Sequence, residues 1–319
     1  MTASLKRKVL FLFLMLVCAI VLGITKGSVK FSLSELFLQE NRYILYLRLS
    51  RILMAILVGA GLSVSGIALQ AILRNALAEP YILGTSSGAG LGAVLAITIG
   101  IGTVYIPIAA FLSAILTIIL VYNLARHGNK VPVESLILSG VIVSIALSAI
   151  IVFLVSMSSN EALHGMMWWL WGNLQVYDFK LLFIVGIVVL SGITAIFILA
   201  QDLNAISIGE EEAMHLGINT EIVKKVLFLI TSMITASLVS ICGIIGFVGL
   251  IIPHMMRLVV GPNHKVLIPA TCLAAAIFMI ICDMFSRTLL SPLEIPIGVI
   301  TAIIGAPVFI ILLKRRRVR

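Results

Sequence analysis

From Tyr81 to Ala125 the sequence runs for 45 residues without one Asp, Glu, Lys or Arg. A helix crosses the hydrocarbon core of a bilayer in roughly 20 residues, so a stretch of this length reads as two crossings joined by a turn. Gly100, Gly102 and Pro107 mark that turn. Uncharged or nearly uncharged runs recur at 9–25, 52–73, 81–104, 105–125, 135–157, 181–201, 226–243, 244–260, 266–286 and 295–313. They predict an all-α integral membrane protein of ten transmembrane helices, with residues 1–319 forming one membrane domain and no room left for a separate soluble one. The run 226–260 is too long for one crossing and short for two, and Gly243, Gly246, Gly249 and Pro253 interrupt it. Composition agrees: at 61% hydrophobic and 11% charged residues, with a mean hydropathy of +1.22, the chain carries more apolar surface than a soluble domain of this length can bury.

The net charge of +9 reflects topology rather than nucleic-acid binding, because Lys and Arg sit in short loops and at the termini with no basic face interleaved with aromatics. An inward-facing N-terminus puts fifteen of the 22 Lys and Arg on the cytoplasmic side, including Lys314 to Arg317 and Arg319, where they face anionic headgroups. Both termini are therefore expected in the cytoplasm. Lys6-Arg7-Lys8 followed by Val9 to Ile24 has the outline of a signal peptide, but no small-x-small cleavage site follows, and it is read as a retained first helix. Cys18, Cys242, Cys272 and Cys282 all fall within apolar runs without metal-ligand spacing and are read as packing residues. Gly59, Gly61, Ser63, Ser65 and Gly66 give the second span small-xxx-small pairs suited to close helix packing.

One polar segment stands apart, Asp202 to Lys225. Ser207 and Glu210 have capping-box spacing, Glu210 to Glu212 would complement a helix N-terminus, and Gly217 is placed to end the helix. An acidic triplet is repelled by an anionic inner leaflet, so short helices that dock a cytoplasmic protein explain the segment better than an amphipathic helix lying on the bilayer.

Sites for chemistry are missing. Without a Gly-Lys dipeptide the chain has no Walker A loop, and Gly88-Ala89-Gly90-Leu91-Gly92 lacks the strand context of a dinucleotide site. No HExxH, paired-aspartate or Ser-His-Asp set occurs and the five histidines are scattered, which disfavours a polytopic membrane enzyme. The spans hold few of the ionisable relays that a proton-coupled transporter needs. Asp283 and Arg287, at i and i+4, are expected to pair at the interface. Trp168, Trp169 and Trp171 with Met166 and Met167 form the densest aromatic cluster, read either as an interfacial belt or, through Met167, Trp168 and Trp171, as the lining of an outer pathway.

Several segments resemble one family: Leu47 to Ala93, Asp202 to Lys225, Gly246 to Pro269, Glu294-Ile295-Pro296-Ile297-Gly298-Val299-Ile300-Thr301-Ala302, and Gly305-Ala306-Pro307-Val308-Phe309. Together they are similar to the FecCD-like permeases, type II ABC importers of iron-siderophores, haem and cobalamin. The resemblance implies a homodimer, or a heterodimer with a paralogue, in a bacterial or archaeal cytoplasmic membrane. Two cytoplasmic ABC ATPase subunits would bind the ATP, and a substrate-binding protein would dock outside. The chain itself would hold no cofactor, with iron chelates as its cargo or cobalamin as the alternative. It further implies ATPase coupling at about 203–219, through Leu203, Asn204, Ser207, Gly209, Glu210, Glu211, Ala213, Leu216 and Gly217. Binding-protein docking would fall at Arg48 and Arg287, and an inner gate near Val133 and Glu134. Family members usually have proline where Ser50 stands, in what is expected to be the turn entering the second span.

Overall fold

The computed structural model describes residues 3–27, 39, 42–128 and 131–316. Lys30, Lys130, Arg317 and Arg319, which enter the charge count, lie outside them. Thirteen α-helices are described: α1 (Ala3–Thr25), α2 (Arg42–Ile72), α3 (Thr85–Thr98), α4 (Ile106–Ala125), α5 (Val133–Ser156), α6 (Asn160–Leu170), α7 (Phe179–Ile198), α8 (Ala200–Ile208), α9 (Glu210–His215), α10 (Thr220–Cys242), α11 (Val248–Val260), α12 (His264–Thr288) and α13 (Ile297–Arg316), with short 3-10 helices at Pro80–Leu83 and Thr103–Tyr105. Seven of them are long and apolar enough to cross a membrane, in α1, α2, α4, α5, α7, α10 and α12; α3, α11 and α13 contain shorter apolar helices of 10–17 residues.

The bundle is built around α2. Within its most apolar window 83% of residues are buried, against 11% for α1 and 22% for α4, α5 and α7. Lipid tails are as apolar as leucine, so a central helix is held by close packing rather than by hydrophobic exclusion. Two glycines make this possible. A methyl group on Gly66 would land on the backbone carbonyl of Gly249 in α11, and one on Gly59 would meet the carbonyl of Ala275 in α12. The small residues of the second span therefore serve backbone-to-backbone packing. The outward faces of α1, α4, α5 and α7 remain rich in exposed Leu, Ile, Val and Phe, as a lipid-facing rim requires.

The expected turn between the third and fourth runs is present, with Gly100 at φ +74° and Pro107 in the first turn of α4. The break in 226–260 is narrower than the sequence suggests. Gly249 and Pro253 lie inside α11, and the chain leaves helical geometry only over 243–247. Non-helical backbone at membrane depth needs internal partners, and residues 79–81 supply them. The Glu79 carboxylate accepts from the Phe247 N–H at 3.0 Å, and the Tyr81 hydroxyl donates to the Ile245 carbonyl at 3.1 Å while accepting from its N–H at 3.2 Å. Phe247 sits at φ +71°, a left-handed conformation that strains any residue with a Cβ.

Two sequence expectations are corrected. Ser50 lies well inside α2, which starts at Arg42 because Tyr43 to Leu47 are already a helical apolar run; its hydroxyl bonds back to the Leu47 carbonyl at 2.9 Å. Ser207 is not a helix cap either. It belongs to α8, where its hydroxyl donates to the Leu203 carbonyl at 2.7 Å, and Gly209 is the residue that precedes α9. The Glu212 carboxylate lies beside Gly209, but the Gly209 N–H donates to the Ala205 carbonyl at 3.3 Å, so neither half of the capping box forms. Gly217, at φ +82°, does end α9: its N–H donates to the Met214 carbonyl at 2.9 Å and the Ile218 N–H to the Ala213 carbonyl at 3.1 Å, a Schellman pattern.

Candidate functional site

The molecule gathers its polar chemistry at two ends. At one end, α2, α12, the segment after α12 and the end of α1 bring together Arg48, Arg51, Asp283, Arg287 and Glu294. Asp283, 1% exposed, is shared: its Oδ1 accepts from Arg51 Nε and Nη2 at 3.0 and 2.8 Å, and its Oδ2 pairs with Arg287 Nη2 at 2.9 Å. Glu294 takes the other branch of Arg51 at 2.9 Å and a hydrogen bond from Gln175 at 3.2 Å. The expected Asp283–Arg287 pair is therefore present, within a larger buried network that includes Arg51.

The remaining donors of the two arginines close off α1. Arg48 Nη1 donates to the carbonyls of Ile24 and Thr25 at 2.6 and 3.3 Å, and Arg287 donates to those of Lys26 and Gly23 at 3.1 and 3.2 Å. These are the orphan acceptors at the negative end of a helix dipole. Two carboxylates and that dipole thus face three guanidiniums. Arg48 and Arg287 are 5% and 4% exposed, and they line a cavity of about 210 Å³ together with Arg51, Gln175, Tyr177 and Glu294. Gln175 also borders a second cavity of about 550 Å³ walled by Trp168, Trp169 and Asn173. Trp171 is exposed, Met167 is half-buried, and Met166 is fully packed inside. Of the residues named as possible pathway lining, the larger cavity takes only Trp168.

At the other end lie α8 and α9. Leu203 and Ala213 are fully buried and anchor the two short helices to the bundle, while Ile208, Met214 and Leu216 project outward beside Glu211 and Glu212. Glu210 turns back to Lys224 of α10, with 2.5 Å between the charged groups. Asn204 joins the start of α12: its Oδ1 accepts from the His264 N–H at 2.9 Å and lies 2.7 Å from His264 Nδ1, and its Nδ2 donates to Asn263 Oδ1 at 3.3 Å. Val133 is the first residue of α5, and Glu134 stands exposed in its first turn, where the helix dipole favours an acid.

Sequence reasoning missed Arg51, Glu294, Gln175 and His264 as members of these sites. Arg51 was hidden by its place at the edge of an apolar run. His264 had a visible signal, following Asn263 at the head of a helical run in the way a first residue follows its N-cap, but nothing in the sequence brings it to Asn204.

Comparison with known proteins places this geometry. The sequence model described as the FecCD transport family matches residues 11–315. The cobalamin import system permease protein BtuC of Halobacterium salinarum is 41% identical over 274 residues, covering 86% of this chain and 73% of that protein. A probable iron chelatin transport system permease protein of Helicobacter pylori is 38% identical, over 86% of this chain and 83% of its own length. A solved structure, an inward-facing conformation of a putative metal-chelate type ABC transporter, superposes with a TM-score of 0.87 at 35% identity, over 97% of this chain and 99% of that one.

Proposed function

The chain belongs to the FecCD transport family, and from that premise we propose that it is the membrane-spanning subunit of an importer that carries iron chelates into the cytoplasm, driven by a separate ATPase. The observation that carries this reading is the α8–α9 pair. It is anchored by Leu203 and Ala213 and presents Ile208, Met214 and Leu216 with two glutamates to the outside, an apolar face rimmed by charge of the kind that partner proteins cover. In this reading α8 and α9 face the cytoplasm, as do both termini, and all ten apolar helices cross the cytoplasmic membrane. Two such chains, or one with a paralogue, enclose the path, and two ATPase subunits dock beneath.

The substrate-binding protein docks at the opposite end. Arg48 and Arg287 are the candidate anchors, because guanidinium forks suit carboxylates and opposite charge speeds encounter. Both now bond α1 carbonyls, so docking there exchanges these bonds for carboxylates of the partner. Trp168, with Met167 and Trp171 nearby, belongs to the outer path, and Val133 and Glu134 to the inner gate. Movement of α8–α9 rocks rigid helices between outward and inward openings. Cobalamin is the second reading of the cargo, favoured by the name of the 41% identical relative.

Uptake into proteoliposomes holding this chain, its ATPase and its binding protein tests the proposal. Accumulation of a ferric chelate only with ATP supports it, cobalamin in place of the chelate supports the second reading, and ligand movement without the ATPase overturns both.

A further inference from the structure

Asn204 sits in the docking segment, yet its side chain points into the protein and caps a different helix. The first N–H groups of α12 have no partner within their own helix. Asn263 takes one, accepting from the Lys265 N–H at 3.1 Å, and Asn204 takes the next, reaching across from α8 to the His264 N–H. Donation from His264 Nδ1 to the same oxygen requires the Nδ1-protonated tautomer. His264 is 3% exposed, while Asn204 is half-buried. Among the described residues, the side-chain hydrogen bonds that join α8 to the bundle run through Asn204 to the head of α12.

From His264, α12 continues for 19 residues to Asp283, about 28 Å along the axis at 1.5 Å per residue. There it bears the carboxylate that holds Arg51 and Arg287. One helix thus has its first turn bonded to the docking segment and its far end bonded to the arginine cluster.

We propose that His264 is the positioning residue that transmits movement of α8–α9 into α12, and through α12 to the Arg51–Asp283–Arg287 cluster, so that the two docking sites exchange their states through this one helix. The inference rests on the ATPase-coupling reading above. Leu203 seats α8 on the main core, and Ala205 and Ile206 pack it against Ala213 of α9, both by non-directional apolar contact. Hydrogen bonds to one oxygen fix direction as well as distance, and they give α8 a grip on the end of α12.

The test compares His264→Ala, Asn204→Ala and His264→Asn in the complete importer. An asparagine amide nitrogen occupies nearly the position of Nδ1 and keeps its donor. Three quantities are read: co-purification of the ATPase subunit, ATP hydrolysis with and without loaded binding protein, and ligand moved per ATP. The His264→Ala variant is expected to keep the ATPase bound and hydrolysing. Stimulation by the binding protein and ligand moved per ATP should each fall about fivefold or more, the lower end of ordinary coupling energies, and His264→Asn should restore both. Unchanged stimulation and ligand per ATP in the alanine variants overturn the inference while leaving the function intact. Equal impairment in His264→Asn also overturns it, by showing a merely structural role. Loss of the ATPase from wild type and variants alike would instead overturn the coupling reading on which it rests.

Discussion

Asp283→Asn is the sharpest probe of the buried charge network. The substitution keeps size and one oxygen acceptor but removes the only carboxylate that Arg287 pairs with among the described residues; Arg51 keeps Glu294. Arg287 retains its bonds to the carbonyls of Gly23 and Lys26, yet at 4% exposure its charge loses the carboxylate within salt-bridge distance and keeps only the more distant Glu294. Breaking a buried pair by removing one partner costs about 3–5 kcal/mol. At about 2–3 °C per kcal/mol for a large chain, the apparent melting temperature in detergent falls by roughly 6–15 °C. Buried Cys242 and Cys282 allow unfolding to be followed with a thiol-reactive fluorogenic dye, all variants being heated at one scan rate because irreversible unfolding is rate-dependent. Adding Arg287→Gln removes the stranded cation, so the double variant is less destabilised than the sum of the two singles, by about 0.5–3 kcal/mol. A single variant that melts within about 2 °C of wild type, a loss below 1 kcal/mol, refutes the claim that Asp283 neutralises Arg287.

Gly66→Ala forces a methyl into the Gly249 carbonyl and should lower the yield of folded protein sharply, whereas Gly100→Ala, in a turn with open space around it, should cost only the strain of its positive φ, of about 1–2 kcal/mol; equal yields and melting points for Gly66→Ala and wild type would refute the packing account. Glu79→Ala leaves the Phe247 N–H without an acceptor and should cost about 1–3 kcal/mol of stability; a melting temperature equal to that of wild type counts against it. Ile208→Asp with Leu216→Asp, both 71% exposed, should leave the melting temperature nearly unchanged while abolishing co-purification of the ATPase subunit, and retention of that subunit would discard the apolar face as its seat.

The apolar helices were legible because a bilayer demands a long stretch of apolar composition from each crossing, and charge-free runs report it. The α8–α9 segment was legible for the opposite reason, as a polar interruption between apolar runs that carries an acidic triplet. Precision failed where a feature depended on tertiary partners. Gly249 and Pro253 look like breaks, but α11 runs through both, and Gly249 is packed against Leu62 of α2 and Pro80. Ser207 and Glu210 have the right spacing for a cap, yet Gly209 takes that position because α8 extends through Ser207. The arginine cluster assembles residues about 240 positions apart, such as Arg51 and Glu294, and no local pattern announces such a meeting.

The attachment of α1 sets a limit on how the bundle can move. This helix is peripheral along most of its length, but Lys8 Nζ bonds the Val259 carbonyl at the end of α11 at 2.6 Å, and its last turn is held by Arg48 and Arg287. A helix resists stretching, so the span between these anchors, 15–18 residues or about 25 Å, behaves as a strut of fixed length. Motions that separate the end of α11 from the Arg48–Arg287 end along that line must first strip an anchor. Rotations about the line joining the anchors leave the strut's length unchanged, so they are the motions that α1 leaves open.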